Sequence, residues 1–132
     1  MIKFPYSGPV GVVYYSGTVS LVRDICGNPY PNFSTFDSFR MAEDLANMEL
    51  AEIDFVVISV GLADMANTAL YNTFFELADD KKIDVCFMIE AQSLTQVQFN
   101  SIVSWIDTYF RGLPNYFLWK GLPLLVAYEY FA

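Results

Sequence analysis

The sequence predicts a parallel α/β fold of four strand–helix units, a (βα)4 half-barrel, from three observations. An apolar strand pattern recurs along the chain, an amphipathic helix pattern stands between successive strands, and the middle strands are apolar almost without interruption. Strands joined through helical crossovers pair in parallel, and unbroken apolar strands are those covered on both faces. A complete eight-unit barrel runs to roughly 250 residues. The 132 residues here suit a single domain of about half that size, spanning residues 1–132.

The first strand is Val10 to Tyr15 (VGVVYY), β-branched and aromatic, entered from the turn signal Gly8-Pro9. From Ser16 to Thr35 the chain gathers Gly17, Gly27, Asn28, Pro29, Pro31 and Asn32 without helical period. That reads as a long loop, and loops of such length in compact domains are often functional. Ser34-Thr35-Phe36-Asp37 resembles a capping box and opens a helix to about Met48, with Phe39, Ala42, Leu45 and Met48 as its buried stripe. Asp54 to Val60 (DFVVISV) is the second strand. After a loop from Gly61 to Ala66, Asn67 or Thr68 caps a helix whose apolar face is Leu70, Phe74, Leu77 and Ala78. Its Asp79-Asp80-Lys81-Lys82 end reads as solvated, with cations at the negative pole of the helix. Asp84 to Glu90 (DVCFMIE) is the third strand. Ser93 with Gln96 caps a helix through Phe99, Ile102, Val103, Ile106 and Phe110, which Gly112 and Pro114 stop. Gly121-Leu122-Pro123 then leads into the fourth strand, Leu124 to Tyr130 (LLVAYEY).

Composition narrows the chemistry. Apolar residues make up 55% of the chain, ample for a core, and the 17% aromatic share must fill that core or stay exposed for contact. A formal charge of −8 repels phosphate backbones and anionic lipid surfaces, so no nucleic-acid partner is expected. No run reaches the roughly 18 apolar residues of a bilayer-spanning helix, so no membrane span is expected, and the residues after Met1 lack the apolar core of a signal peptide. Nothing in the chain specifies a compartment. With no histidine, Ser-His and Cys-His nucleophile pairs, HExxH zinc sites and imidazole acid–base chemistry are excluded, leaving carboxylates, Tyr and Lys. No P-loop, dinucleotide-binding glycine pattern or metal-ligand spacing occurs, so no cofactor and no metal are expected. Cys26 falls in a loop and Cys86 in mid-strand, a placement that disfavours a bridge between them.

In parallel sheets and barrels the site lies at the carboxyl ends of the strands. That selects Tyr14 and Tyr15 after the first strand, Ser59 near the end of the second, Glu90 and Gln92 after the third, and Tyr128, Glu129 and Tyr130 after the fourth. Neighbouring strands lie about 4.8 Å apart, so acids at the ends of strands three and four come within the roughly 5–9.5 Å that separates a glycosidase pair. Glu90 and Glu129 are therefore the candidate catalytic residues. A plainer role is open to each: Glu90 can cap the following turn or pair with a cation at the rim, and Glu129 can simply be exposed. A tyrosine face matches the C–H face of a pyranose while its hydroxyl reaches the polar edge. Tyr14, Tyr15 and Tyr128, with Ser59 and Gln92, are accordingly the candidate substrate-binding residues, although core or rim packing is the ordinary role of a tyrosine in so aromatic a chain.

With strands and acids placed, the chain resembles the N-terminal half of the glycoside hydrolase family 99 barrels, the endo-α-mannosidase and endo-α-mannanase group. Gly11-Val12-Val13-Tyr14-Tyr15 looks like that family's opening strand and Ile53-Asp54-Phe55-Val56-Val57-Ile58-Ser59 like its second. Phe87-Met88-Ile89-Glu90 looks like the third-strand motif that carries an active-site glutamate, and Gly121-Leu122-Pro123-Leu124-Leu125-Val126-Ala127-Tyr128 like the fourth strand, which also follows a Gly-x-Pro. The chain departs from the family pattern at Met88, where histidine is frequent, at Ala91, where proline is usual, and at Val60-Gly61, where the family is rich in tryptophan. The family's principal catalytic carboxylates come from a strand beyond these four. The resemblance implies a barrel-derived fold, an α-linked glycan as ligand, and Glu90 as a site residue.

Two functions follow. In the first, the protein is carbohydrate-active, its half-barrel completed by self-association or by a second chain; Glu90 polarises or deprotonates a sugar hydroxyl and Glu129 is an auxiliary acid. In the second, a non-catalytic structural or interaction protein keeps the barrel-derived fold and uses its aromatic surface for assembly, since open sheet edges invite association. Glu90 favours the first, and the absence of histidine favours the second.

Overall fold

The structure, a computed structural model, describes residues 8–15 and 37–129. In chain order these form β1 (Gly11–Tyr15), α1 (Ser38–Leu50), β2 (Phe55–Val60), a 3-10 turn (Leu62–Asn67), α2 (Thr68–Asp80), β3 (Asp84–Glu90) and α3 (Gln96–Tyr109). A short hairpin of β4 (Leu118–Trp119) and β5 (Leu122–Pro123) follows, then β6 (Leu125–Tyr128). β1, β2, β3 and β6 make one sheet in that order, parallel at every pair. Tyr15 stands opposite Ser59, Ser59 opposite Met88, and Met88 opposite Val126. The long loop expected from Ser16 to Thr35, with Cys26, lies outside the described residues.

The third strand has the bounds its sequence suggests. β1 and β2 each begin one residue late because Val10 and Asp54 bind each other as an entry clasp. The Val10 amide donates to the Asp54 carboxylate (2.8 Å), and the Asp54 amide donates to the Val10 carbonyl (2.8 Å). α1 starts at Asp37, whose carboxylate accepts from the Arg40 amide at 2.9 Å; the expected partner Ser34 lies outside the described residues.

The buried stripe of α1 differs from the expected one. Met41 and Leu45 are buried and Met48 packs on them, whereas Phe39 is 72% exposed and Ala42 is exposed too. A threefold spacing falls about 60° short of a full turn at every step, so Phe39 ends on the side of the helix opposite Met48. In α3 the capping box is Thr95 with Gln98, two residues beyond Ser93 and Gln96. Ser93 sits in the turn at φ 65°, a left-handed conformation from which a helix cannot start.

Among the described residues α1, α2 and α3 all cover one face of the sheet, the other face carries no helix, and the core lies between helices and sheet. Phe87 on β3 is fully buried there against Tyr71 and Phe75 of α2, Trp105 of α3, Phe110 and Tyr116, with ring centroids 5.0–6.4 Å away. On the helix-free face Phe55 stacks on Phe117 at 4.0 Å, and its ring lies over Gly11, where any Cβ would run into it.

The fourth strand is interrupted. Residues 115–117 run beside the start of β3, with the Val85 amide donating to Asn115 O and the Phe117 amide to Val85 O, both at 2.8 Å. The chain then leaves as the β4–β5 hairpin and rejoins through the Leu124 amide on Phe117 O (3.1 Å) before β6 continues along β3. Lys120 at φ 50° and Gly121 at φ 81° form its two-residue turn, the type I′ geometry that suits the twist of a hairpin. Gly121-Leu122-Pro123 thus belongs to a hairpin rather than to a simple strand entry. β6 starts at Leu125, one residue after the expected Leu124, and Tyr130 lies outside the described residues. No helix among the described residues is long and apolar enough to cross a membrane.

Buried Asn115 ties the start of this strand to the core, its Nδ2 donating to the carbonyls of Phe75 (2.9 Å) and Ile83 (3.3 Å). Asn115→Ala leaves those carbonyls buried without this donor and is expected to cost about 1–3 kcal/mol in urea denaturation. A second expectation concerns alkaline pH. Burial raises the phenol pKa of Tyr116, and burial together with the Asp44 carboxylate raises that of Tyr14. Folded-state values above the unfolded value of about 10 mean that this stability is fully present below about pH 10 and is lost above it. Melting temperature is therefore expected to fall above about pH 10, less steeply in Tyr14→Phe and Tyr116→Phe.

Candidate functional site

Side chains of a strand alternate between faces, so the burial of Phe87 and Ile89 on the helix side turns Met88 and Glu90 to the helix-free side. Register then brings Val13, Tyr15, Val57, Ser59, Cys86, Val126 and Tyr128 to that same face. At the carboxyl ends of the strands this face carries a polar group. The Ser59 hydroxyl donates to Glu90 Oε1 at 2.7 Å, while Tyr15 is the register partner of Ser59 and Tyr128 that of Glu90. Ser59 is buried, Glu90 is exposed, and the two tyrosines are 57% and 51% exposed.

Charge is concentrated here. The Tyr128 phenol is raised above its ordinary pKa, first by the charge of Glu129, then by a hydrogen bond to the Glu129 side chain, with smaller contributions from burial, Tyr15 and Glu90. Glu129 is exposed at φ 53°, where the chain turns away from the strand. Beneath this rim, burial pushes the Cys86 thiol up to about 12, so it stays a neutral packing group.

Of the residues singled out from sequence, Ser59, Glu90, Tyr15 and Tyr128 come together, and Glu129 joins them through Tyr128. Gln92 is exposed on the turn that follows β3. Tyr14 is on the other face of the sheet, stacked on Phe74 at 5.3 Å, with its hydroxyl donating to Asp44 Oδ2 at 2.5 Å. It does not reach the rim group, because consecutive residues of a strand cannot both face one side.

Sequence reasoning missed the partners of Tyr14. Arg40 is buried under it, its guanidinium 5.6 Å from the ring centroid, 3.4 Å from the Asp44 carboxylate and 2.9 Å from Tyr15 O. The signal was an Arg and an Asp four residues apart on an otherwise apolar helix face. A groove of about 540 Å3 runs along β1 and α1 beside this cluster. It lies on the helix side, away from Glu90. Among the described residues no cluster of acids and cysteine has the makings of a metal site.

No protein-family model matches the chain, and no curated protein matches it. Two solved structures of the GH99 endo-α-mannosidase from Bacteroides thetaiotaomicron, one of them in complex with bis-tris propane, are similar to it, each with a TM-score of 0.70 and 16% identity. They match over 90% of this chain and over 42% and 44% of their own. The fold is that of a partial (β/α)8 barrel. This partial barrel spans less than half the length of those proteins, and at that identity the likeness is one of fold.

The Ser59 hydroxyl spends its proton on an exposed carboxylate that water can also serve. Ser59→Ala is therefore expected to change stability by no more than about 1 kcal/mol in urea denaturation, whereas a loss above about 2 kcal/mol would mark the pair as a structural network.

Proposed function

We propose that the chain is a carbohydrate-binding half-barrel, one (βα)4 domain over residues 1–132, that receives an α-linked glycan at the carboxyl ends of its strands. A second half, from another copy or another chain, completes the barrel. The observation that carries this reading is the Ser59–Glu90 hydrogen bond set between two exposed tyrosines. One lone pair of Glu90 Oε1 takes the serine proton, and the remaining acceptor sites of the carboxylate are free to take sugar hydroxyls. Tyr15 and Tyr128 offer ring faces to the sugar and hydroxyls to its edge. Glu129, beside Tyr128, is the auxiliary acid, and Gln92 extends the polar rim. No metal or organic cofactor enters.

Cleavage asks for two carboxylates about 5–9.5 Å apart on either side of the bond. The close partner of Glu90 within one copy is a hydroxyl, so binding is the activity assigned to the chain by itself. The similar solved proteins are endo-α-mannosidases, which supports α-linked manno-oligosaccharides as the first ligands to test. The exposed Leu118, Trp119 and Leu122 of the hairpin favour a second reading, a non-catalytic interaction protein.

Titration calorimetry with α-linked manno-oligosaccharides decides between them. Wild type is expected to bind, with Glu90→Gln and Tyr128→Ala each weakening affinity at least about tenfold, or about 1.4 kcal/mol, at unchanged melting temperature. Wild type that binds no member of a panel of α-linked glycans, while remaining folded, leaves the interaction protein as the reading.

A further inference from the structure

Among the described residues the sheet ends in two open edges, β1 on one side and β6 on the other. In a parallel strand the N–H and C=O of one residue point to the same neighbour, and those of the next residue point the other way. Val10 O accepts from the amides of Asp54 and Phe55, so Val10, Val12 and Tyr14 turn their backbones to β2 while Gly11, Val13 and Tyr15 turn theirs outward. Consistent with this, Tyr15 O takes its hydrogen bond from the Arg40 side chain. At the other edge Tyr128 O accepts from the Ala91 amide at 3.0 Å, so Val126 and Tyr128 face β3 while Leu125 and Ala127 face outward. Each edge thus offers a matching pair of outward residues, Gly11 and Val13 on one, Leu125 and Ala127 on the other.

Neither edge strand carries a charged side chain of its own, although the Arg40 guanidinium sits on Tyr15 O at the end of β1. Neither Val10 to Tyr15 nor Leu124 to Tyr128 contains an ionisable Lys, Arg, Asp or Glu, in a chain whose net charge is −8. Edges that must stay unpaired are commonly guarded by such charges. Val13 is instead 52% exposed, and Leu125 and Tyr128 are exposed as well. The helix side is open at both edges too, with the groove along β1 and α1 at one and a groove of about 200 Å3 between α3 and β6 at the other.

We propose that two copies of this chain close a single eight-stranded barrel, β6 of each copy pairing in parallel with β1 of the other about a two-fold axis along the barrel. The axis makes both seams the same interface, and the two helix-side grooves meet across each seam.

Closure completes the site, a step that rests on the glycan reading above. Strands three and seven of the closed barrel stand opposite each other, so the two copies of Glu90 face one another. With strands about 4.8 Å apart and tilted by about 36°, such a barrel measures about 15 Å between opposite backbones. Two glutamates reaching inward by about 4 Å each leave their carboxylates about 7 Å apart, inside the roughly 5–9.5 Å of a glycosidase pair. Each copy supplies a carboxylate across the barrel from the other's Glu90.

Light scattering and sedimentation equilibrium test the closure without any sugar. Wild type is expected at twice the 15.0 kDa of one chain. Val13→Pro and Ala127→Pro each delete one outward amide and leave the bonds to β2 and β3 in place, so each is expected to weaken the dimer at least about tenfold. Val13→Lys, which keeps the amide and adds an edge charge, is expected to do the same, while Val97→Lys on the exposed side of α3 leaves the mass unchanged. A monomeric wild type, or a dimer indifferent to all three edge variants, overturns the proposal. A dimer that binds no glycan leaves the closure standing and removes the glycan reading; glycan binding by a monomer does the reverse.

Discussion

The contacts of one side chain, Phe87, hold the layers of this molecule together. It sits in the middle of the central strand, and the rings around it come from α2, from α3 and its end, and from the start of the fourth strand. Aromatic pairs at these distances and tilts contribute about 0.5–1.5 kcal/mol each beyond the area they bury. Both later crossovers converge on one residue, so the helices that follow β2 and β3 have no choice of face. Parallel pairing of β2, β3 and β6 follows from that, because a strand returning from a helix on the same face re-enters the sheet in the same direction.

The chemistry at the rim inherits its geometry from this packing. Phe87 toward the helices puts Met88 and Glu90 on the other face, and the parallel ladder passes that setting to Ser59 on β2 and Tyr128 on β6. A slip of one residue would drive the Glu90 carboxylate into the apolar helix layer, where an unpaired charge costs several kcal/mol, and would turn Phe87 out to solvent. Core and site therefore enforce the same register. Ser59 needs only the neighbouring ladder position to reach Glu90, and Tyr15 needs only the next one along.

Legibility in the sequence follows the same division. β3 was readable to the residue, since seven residues with a buried centre leave one possible pairing, and Glu90 as a strand-end acid came with it. Tyr15 and Tyr14 were not separable by composition, because alternation names two faces without saying which one the helices will cover; only Phe74 and Asp44 settle that. The stripe of α1 does not follow a spacing of three, because the helix buries positions 41 and 45 and packs 48 against them, and Arg40 beside them is a polar residue that an apolar pattern passes over. The hairpin within the fourth strand was hidden for a different reason. Leu118, Trp119 and Leu122 look like core by type, yet they lie on an excursion whose turn is carried by Lys120 and Gly121, and lysine is not a usual sign of positive φ.

An open sheet also sets what a carboxylate at its rim can do. Glu90 is exposed, so water screens its charge and competes for its lone pairs, and its carboxylate stays open to hydroxyl donors. General acid–base work needs a carboxylate whose surroundings exclude water and hold a second acid at a fixed distance. Neither condition is internal to β1, β2, β3 and β6; both arise when another set of strands faces them across an enclosed volume. The four strands thus supply orientation, through Ser59 and the two tyrosines, and leave dielectric and partnership to whatever closes the sheet.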